Sequence, residues 1–269
     1  MGSGIAQVAA MGGYPTLLYD IDEKMAQKGR NTIEQNLRVL VERNKIAAGE
    51  LDMVLGRLSY SADLRDCRAD FLIEAIVERP DIKLDLFLHL AAINRPDTIL
   101  ASNTSSLSLN ALAEKIPAPG RFAGMHFFNP APLMKLVEVV RTKYTSDETI
   151  DKITRLAGRM GKNPVCCSDS PGFIVNRVAR PYYLEALRLL EEGVADIETI
   201  DTLMEATGFK MGPFRLMDLI GNDINYAVSK SVYEALGRPD RLKPSPIQRL
   251  KVEEGSLGRK TGKGYYRYE

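Results

Sequence analysis

Histidine is scarce in this chain: there are two in 269 residues. The three cysteines, Cys67, Cys166 and Cys167, form no CxxC pair and no metal-ligand spacing with either histidine, which removes a metal centre from the first readings. Adjacent Cys166 and Cys167 read as small buried apolar residues ending a strand, and reduced thiols point to the cytoplasm. No apolar run approaches the ~18 residues of a membrane span. The opening residues lack the basic stretch of a secretory signal. A formal net charge of +1 gives no reason to expect nucleic acid or an anionic membrane as partner. Internal repeats and low-complexity segments are missing too.

What is present is a chain with 45% apolar residues, long enough for two domains and a sizeable core. Residues 1–12 carry Ile5, Val8, Ala9 and Gly12 at helical spacing, with Gly2, Ser3, Gly4, Ala6 and Ala10 filling the other face. So much glycine makes a poor helix by propensity and suits a close approach to backbone. Thr16 to Asp20 reads as a buried strand ending in an acid. A long helical excursion follows from Glu23 to Gly56. Asp70–Ile76 and Thr98–Ala101 read as further strands, with a helix opened by Pro80 between them. This alternation predicts an α/β fold with a mostly parallel, doubly wound sheet over residues 1–168. Beyond Ser170-Pro171-Gly172 the pattern is helical, so residues 169–269 are expected to form an all-α domain.

Of the two histidines, His89 lies on the helix after Pro80 with nothing to pair it, and reads as a surface or boundary residue. His126 is different. It sits between a short apolar run (Phe122, Ala123, Met125) and the turn signal Asn129-Pro130, at the C-terminal edge of a strand, where open α/β sheets bind ligands. Glu138 is a lone carboxylate in a second strand-like run, Leu136–Val140. An imidazole beside such a carboxylate is a general base held in one tautomer. A satisfied core histidine and a water-facing glutamate fit the same pattern.

Three blocks together resemble one family. Met1-Gly2-Ser3-Gly4-Ile5-Ala6 resembles the tail of a dinucleotide-binding glycine loop. Ala101-Ser102-Asn103-Thr104-Ser105-Ser106-Leu107 and the His126 run resemble the active site of the L-3-hydroxyacyl-CoA dehydrogenases. Asp169-Ser170-Pro171-Gly172-Phe173-Ile174-Val175-Asn176-Arg177 resembles their domain junction, and the likeness continues through Leu257–Tyr266. It implies a Rossmann-like domain that binds NAD, a helical domain that makes a homodimer, and oxidation of a short-chain 3-hydroxyacyl-CoA. It further implies His126 as base, Glu138 as its orienting acid, Ser105 on the substrate oxygen and Asn176 reaching in from the helical domain. Asp20 would hold the adenosine ribose, Met1 and Gly2 the pyrophosphate end, and Ile76, Val77, Glu78, Lys83, Ser105 and Asn129 the nicotinamide half of the groove. Asn36 and Arg43 fall where the family contacts coenzyme A, in place of a serine and a lysine.

Read from the residues alone, the serines and Thr104 also fit a polar loop, Asn176 an exposed helix position, and Lys83 and Arg43 solvated charges. Two other functions stay open: a 3-hydroxyadipyl-CoA dehydrogenase, with Arg177 or Arg180 meeting the distal carboxylate, and a non-catalytic, crystallin-like protein on the same scaffold. The family pattern has a strand and two more glycines before the position of Met1, so the expectation is a sheet without its first strand, from a fragment or a misplaced start. A carboxylate such as Asp20 at the end of the second strand accepts a ribose 2′-hydroxyl and repels a 2′-phosphate. Steady-state kinetics with both cofactors should therefore give a higher kcat/KM with NAD than with NADP.

Overall fold

The computed structural model describes residues 1–268. They form two compact units that meet in sequence between Asp169 and Ser170. The first unit runs α1 (Gly2–Met11), β1 (Thr16–Tyr19), α2 (Glu23–Glu42), α3 (Ala48–Gly56), β2 (Leu58–Ser61), β3 (Phe71–Glu74) and α4 (Pro80–Ile93). It continues through β4 (Ile99–Ser102), α5 (Leu109–Ala113), β5 (Phe122–Phe127), β6 (Leu136–Arg141), α6 (Asp147–Arg159) and β7 (Asn163–Ser168). Local chemistry sets many of these boundaries. Asp22 caps α2 by accepting from the Lys24 amide, Ser108 and Ser146 cap α5 and α6 in the same way, and Pro80 stands at the first turn of α4.

Five strands form one sheet in the order β3-β4-β5-β6-β7, and β1 pairs with β2 in a separate ladder. Every pairing is parallel except β5 with β6. β1 and β3 share no ladder, and the division falls at the position that the first strand takes in a doubly wound order. Helix α1 ties the two parts together. Its Ile5 and Val8 join the core of Ala101, Ala123, Met125, Val137 and Val139 on the larger sheet. Its Ala6 and Ala10 join Ile33, Leu37 and Val54, against which Leu18 and Leu58 pack. The small residues serve this double contact: a Cβ on Gly4 would lie 3.0 Å from Pro132 Cδ.

Three expectations change. The excursion from Glu23 to Gly56 is two helices, broken after Glu42 where Asn44 takes a left-handed conformation (φ 53°). Strand β2, Leu-Ser-Tyr-Ser, carries too little apolar pattern to be read in advance. Cys166 and Cys167 do lie in a strand, but Cys166 is exposed and Cys167 half-buried, because β7 is the outermost strand and has a neighbour on one side only. Cys67 is buried, and none of the three is in a disulfide.

The second unit contains α7 (Val175–Glu191), α8 (Ile197–Ala206), α9 (Pro213–Ile220), α10 (Asn222–Ala235) and α11 (Pro246–Glu253). Among the described residues its only β pairing is the isolated bridges of Lys263 with Gly258 and Arg267. Tyr183, Leu187, Ile200, Phe214 and Met217 make its main core.

Two buried aspartates hold this unit together. Asp201 on α8 caps α9 by accepting from the Phe214 and Arg215 amides, each at 2.9 Å, and takes the Tyr266 hydroxyl at 2.9 Å. Asp218 on α9 accepts from Asn222 Nδ2, the Tyr265 and Tyr266 amides and the Tyr268 hydroxyl. The glycines of the C-terminal motif fit around this second carboxylate: a Cβ on Gly264 would overlap it, and one on Gly258 would overlap the Asp218 backbone. Leu257–Tyr266 is thus a strap fastened to α9. Asp218→Ala should lower stability by roughly 2–5 kcal/mol, since several buried donors lose their acceptor at once. Urea unfolding followed by tyrosine fluorescence measures it.

Candidate active site

The antiparallel pairing of β5 and β6 sets the reactive pair. Both strands run through the sheet interior, and β5 is buried along its whole length. Their register places His126 directly opposite Glu138. Opposed residues on one sheet face have Cβ atoms about 4.5–5.5 Å apart, the span that an imidazole and a carboxylate bridge. His126 Nδ1 lies 2.7 Å from Glu138 Oε2, with the side chains 7% and 1% exposed. A carboxylate only accepts, so Nδ1 donates its proton and the lone pair of the neutral ring sits on Nε2. The Phe128 ring is tilted against the imidazole at 4.6 Å between centroids. Gly124, opposite Val140, lets the strands close here: a Cβ would come within 2.8 Å of the Val140 Cβ and would also strike Leu109.

A second buried network joins the ends of β3 and β4. Glu74 accepts from Lys83 Nζ at 2.5 Å, the Ile76 amide at 2.7 Å and Ser102 Oγ at 2.7 Å. Lys83 also reaches Glu78 at 3.2 Å. The other Glu78 oxygen accepts from the Thr104 hydroxyl, the Ser105 amide and the Ser106 hydroxyl. Burial pushes the Glu78 carboxyl up, but the Thr104 hydroxyl, Lys83 and the Ser105 amide more than offset this, and it titrates below the usual range. Lys83 is 1% exposed and its ammonium is spent on the two glutamates, so it is not a solvated helix charge. Ser102 is likewise no loop residue but the fully buried end of β4. Ser105 is half-buried, and its hydroxyl has no hydrogen bond to another described residue.

Asn103 fastens this loop to the dyad strand, its Oδ1 accepting from the Phe127 amide at 2.8 Å. Beyond Phe127, Asn129 is exposed, and the turn after it is pinned from below by buried Lys162, which donates to the Ala131 and Met134 carbonyls at 2.5 and 2.9 Å. Ile76 and Val77 stand exposed beyond β3. At the ends of β1 and β2, an open pocket of about 650 Å³ is lined by Tyr19, Glu23, Tyr60, Ser61, Asp63 and Arg65. Asp20 follows Tyr19 in the chain and accepts from the Asp22 amide with one oxygen. Helix α1 begins with no side-chain cap and no acid in its first turn, a helix end suited to an anion. Half-buried Gly2 and exposed Met1 lie there. These features fit a dinucleotide: room and a carboxylate at one end, an uncapped helix start, and exposed residues beyond β3.

Other residues singled out by sequence belong to α2 and its C-terminal end, to α4 and to the second unit. Asn36 and Arg43 are exposed on and after α2, and Asn36 donates to Gln7 Oε1 at 3.1 Å. Asn176 is half-buried in the first turn of α7, in the second unit, and its carbonyl accepts from Arg180 Nε at 2.9 Å. Arg180 is buried under Asn225 and Ser229, and burial lowers its pKa to about 10. Arg177 donates to Ser170 Oγ at 3.0 Å. His89 is exposed and bonded to the Asp85 carbonyl. Sequence reading gave no role to Glu74, Ser102 or Asn103. The one available signal was a carboxylate closing the apolar run Phe71-Leu72-Ile73-Glu74.

A doubly wound α/β unit with a buried imidazole–carboxylate pair on adjacent strands is an arrangement compatible with a nicotinamide-dependent dehydrogenase. The chain belongs to the 3-hydroxyacyl-CoA dehydrogenase family: residues 1–170 match the profile of its NAD binding domain and 172–268 that of its C-terminal domain. A probable 3-hydroxybutyryl-CoA dehydrogenase of Deinococcus radiodurans is 44% identical over all of this chain and 96% of its own length. A 3-hydroxyadipyl-CoA dehydrogenase of Escherichia coli is 47% identical over 99% of this chain, which spans 56% of that longer protein. The solved structure of (S)-3-hydroxybutyryl-CoA dehydrogenase from Ralstonia eutropha superposes with a TM-score of 0.96 at 38% identity, covering 100% of this chain and 95% of that one. The first unit is therefore the NAD-binding domain of this family, and the second its helical partner.

Gly124 gives the direct test of the register. Gly124→Ala should force β5 from β6, costing about 1–3 kcal/mol of stability as overpacking does. A thermal melt measures that loss, and amide exchange at Phe127 reports the shift beside the dyad.

Proposed function

We propose that the protein catalyses the reversible NAD-dependent oxidation of a short-chain L-3-hydroxyacyl-CoA, such as 3-hydroxybutyryl-CoA, to the 3-oxoacyl-CoA. The observation that carries this reading is the buried 2.7 Å contact between His126 Nδ1 and Glu138. With Nδ1–H committed to the carboxylate, Nε2 accepts the proton of the substrate's C3 hydroxyl. NAD, when bound, supplies the acceptor for the hydride that leaves C3. Glu138 stabilises the imidazolium formed as the proton arrives, the part the acid plays in a hydrolase triad. In the reverse direction the imidazolium returns the proton to the C3 oxygen. The Ser105 hydroxyl binds that oxygen, and Asn176 of the second unit steadies the reacting end.

Asp20 takes the adenosine ribose hydroxyls, the start of α1 at Met1 and Gly2 faces the pyrophosphate, and Ile76, Val77, Glu78 and Asn129 line the nicotinamide half. Lys83 serves that half indirectly, through Glu78. Asn36 and Arg43 serve the nucleotide of coenzyme A, where a guanidinium suits a phosphate bidentately. Exposed Val178, Leu203, Phe209, Leu219 and Ile224 on the second unit support a homodimer through that unit. The free thiols suit a reducing compartment, the cytoplasm, and no helix among the described residues is long and apolar enough to cross a membrane.

The relative named for 3-hydroxyadipyl-CoA keeps a dicarboxylic substrate as the second reading. Arg180 does not support it, since its guanidinium is already engaged by Asn225 and Ser229, which leaves Arg177. A purely structural role is disfavoured by the dyad, because burying a histidine against a carboxylate is a weak way to stabilise a fold. Turnover of 3-hydroxybutyryl-CoA and 3-hydroxyadipyl-CoA with NAD separates the three. His126→Gln and Glu138→Gln should each lower kcat by about 10²–10⁴-fold with little change in KM. Near-full kcat in either variant, with chemistry limiting, would remove the dyad from the mechanism.

A further inference from the structure

We infer that Glu74 is a positioning residue for the active site, acting through Lys83 and Glu78 on the loop that carries Ser105. The kinetic part of this inference rests on the dehydrogenase reading above; the structural part does not. Glu74 closes β3, and its side chain is fully buried. Its three bonds go to three different places: the Ile76 amide at the start of the exposed loop, Lys83 on α4, and Ser102 at the end of β4. The chain of contacts then runs from Lys83 to Glu78 and from Glu78 to the Ser105 amide at 3.1 Å.

The charge count explains why Glu74 matters at that distance. Two carboxylates share one ammonium, which is 1% exposed and therefore cannot be balanced by water. With Glu74 present, Lys83 sits tightest on Glu74 at 2.5 Å and more loosely on Glu78 at 3.2 Å. That leaves the second Glu78 oxygen turned to Thr104, Ser105 and Ser106. Remove the charge of Glu74 and the buried ammonium keeps a single anion. It then draws Glu78 inward, off the serine loop, and at the same time the Ile76 amide and Ser102 hydroxyl lose their full-charge acceptor. Buried charges left short of a partner repack toward whichever counter-charge remains. The Ser105 hydroxyl and the backbone beyond β3 are thus set by a carboxylate that itself touches neither substrate nor cofactor.

The test compares Glu74→Gln, Glu78→Gln and the double variant by kinetics and by amide hydrogen exchange. In folded Glu74→Gln, exchange at Ile76 and Ser105 should speed up about tenfold while the Met125 and Val139 amides of β5 and β6 stay protected. Its kcat should fall about tenfold with KM for the acyl thioester within about twofold, as expected for lost alignment. Because both changes act on one chain of contacts, the double variant should be no worse than the more damaged single. Unchanged Ser105 exchange, kcat within about twofold of the parent, or losses that multiply in the double variant would each overturn the inference. Should Glu74→Gln fail to fold, Glu74→Asp keeps the charge but draws it back from Lys83 and Ser102 and carries the same exchange test; no change at Ser105 counts against Glu74. A parent protein with no turnover would sink the dehydrogenase reading, while the exchange arm would still decide this one.

Discussion

The antiparallel pairing of β5 with β6, inside an otherwise parallel sheet, is the constraint on which the reactive end of the first unit depends. A parallel neighbour would return through a crossover helix; here the chain turns back within residues 128–135. That turn puts His126 and Glu138 face to face, where their separation follows from strand spacing rather than from flexible loops. It also brings Asn129 and the Lys162-held turn to the same end of the sheet. A slip of one residue would send the imidazole and the carboxylate to opposite faces. In this register Gly124 has no room for a Cβ against Val140 and Leu109.

Around that pair, buried charge takes over the work that loop length would otherwise leave undone. Ile76 and Val77, in the segment after β3, are exposed. Glu74, Lys83 and Glu78 tie this segment to the one after β4; the Glu74–Lys83 attraction is strong because water is excluded from that pair, while Glu78 stands partly in solvent. Such a network is exacting. Loss of one member leaves its neighbours short of a partner.

The helical unit uses the same physics for a different end. Asp201 and Asp218 are buried acids with no ion pair among the described residues, stabilised by backbone amides and tyrosine hydroxyls. Helix starts and turns offer unpaired N–H groups, and a carboxylate collects several of them at once. The glycine-rich C-terminal motif is shaped by the room that Asp218 needs.

The sequence by itself determined the alternation of strands and helices, the change to an all-helical second half, and the isolation of His126 at a strand end before Asn129-Pro130. Those features are local: apolar period, capping residues and turn chemistry act over a few positions, and they survive without knowledge of the partners. It did not reveal β2, whose Leu-Ser-Tyr-Ser becomes a strand only because β1 lies beside it. It misjudged Cys166, since exposure in β7 depends on being outermost in the sheet. It left Lys83 looking like an ordinary helix charge and gave Glu74, Ser102 and Asn103 no role at all. Tertiary structure alone decided these, along with the register that sets His126 against Glu138. The physical reason is that strand register, burial and charge pairing are set by residues far apart in the chain, and a one-dimensional pattern carries no record of which distant groups exclude the water between them.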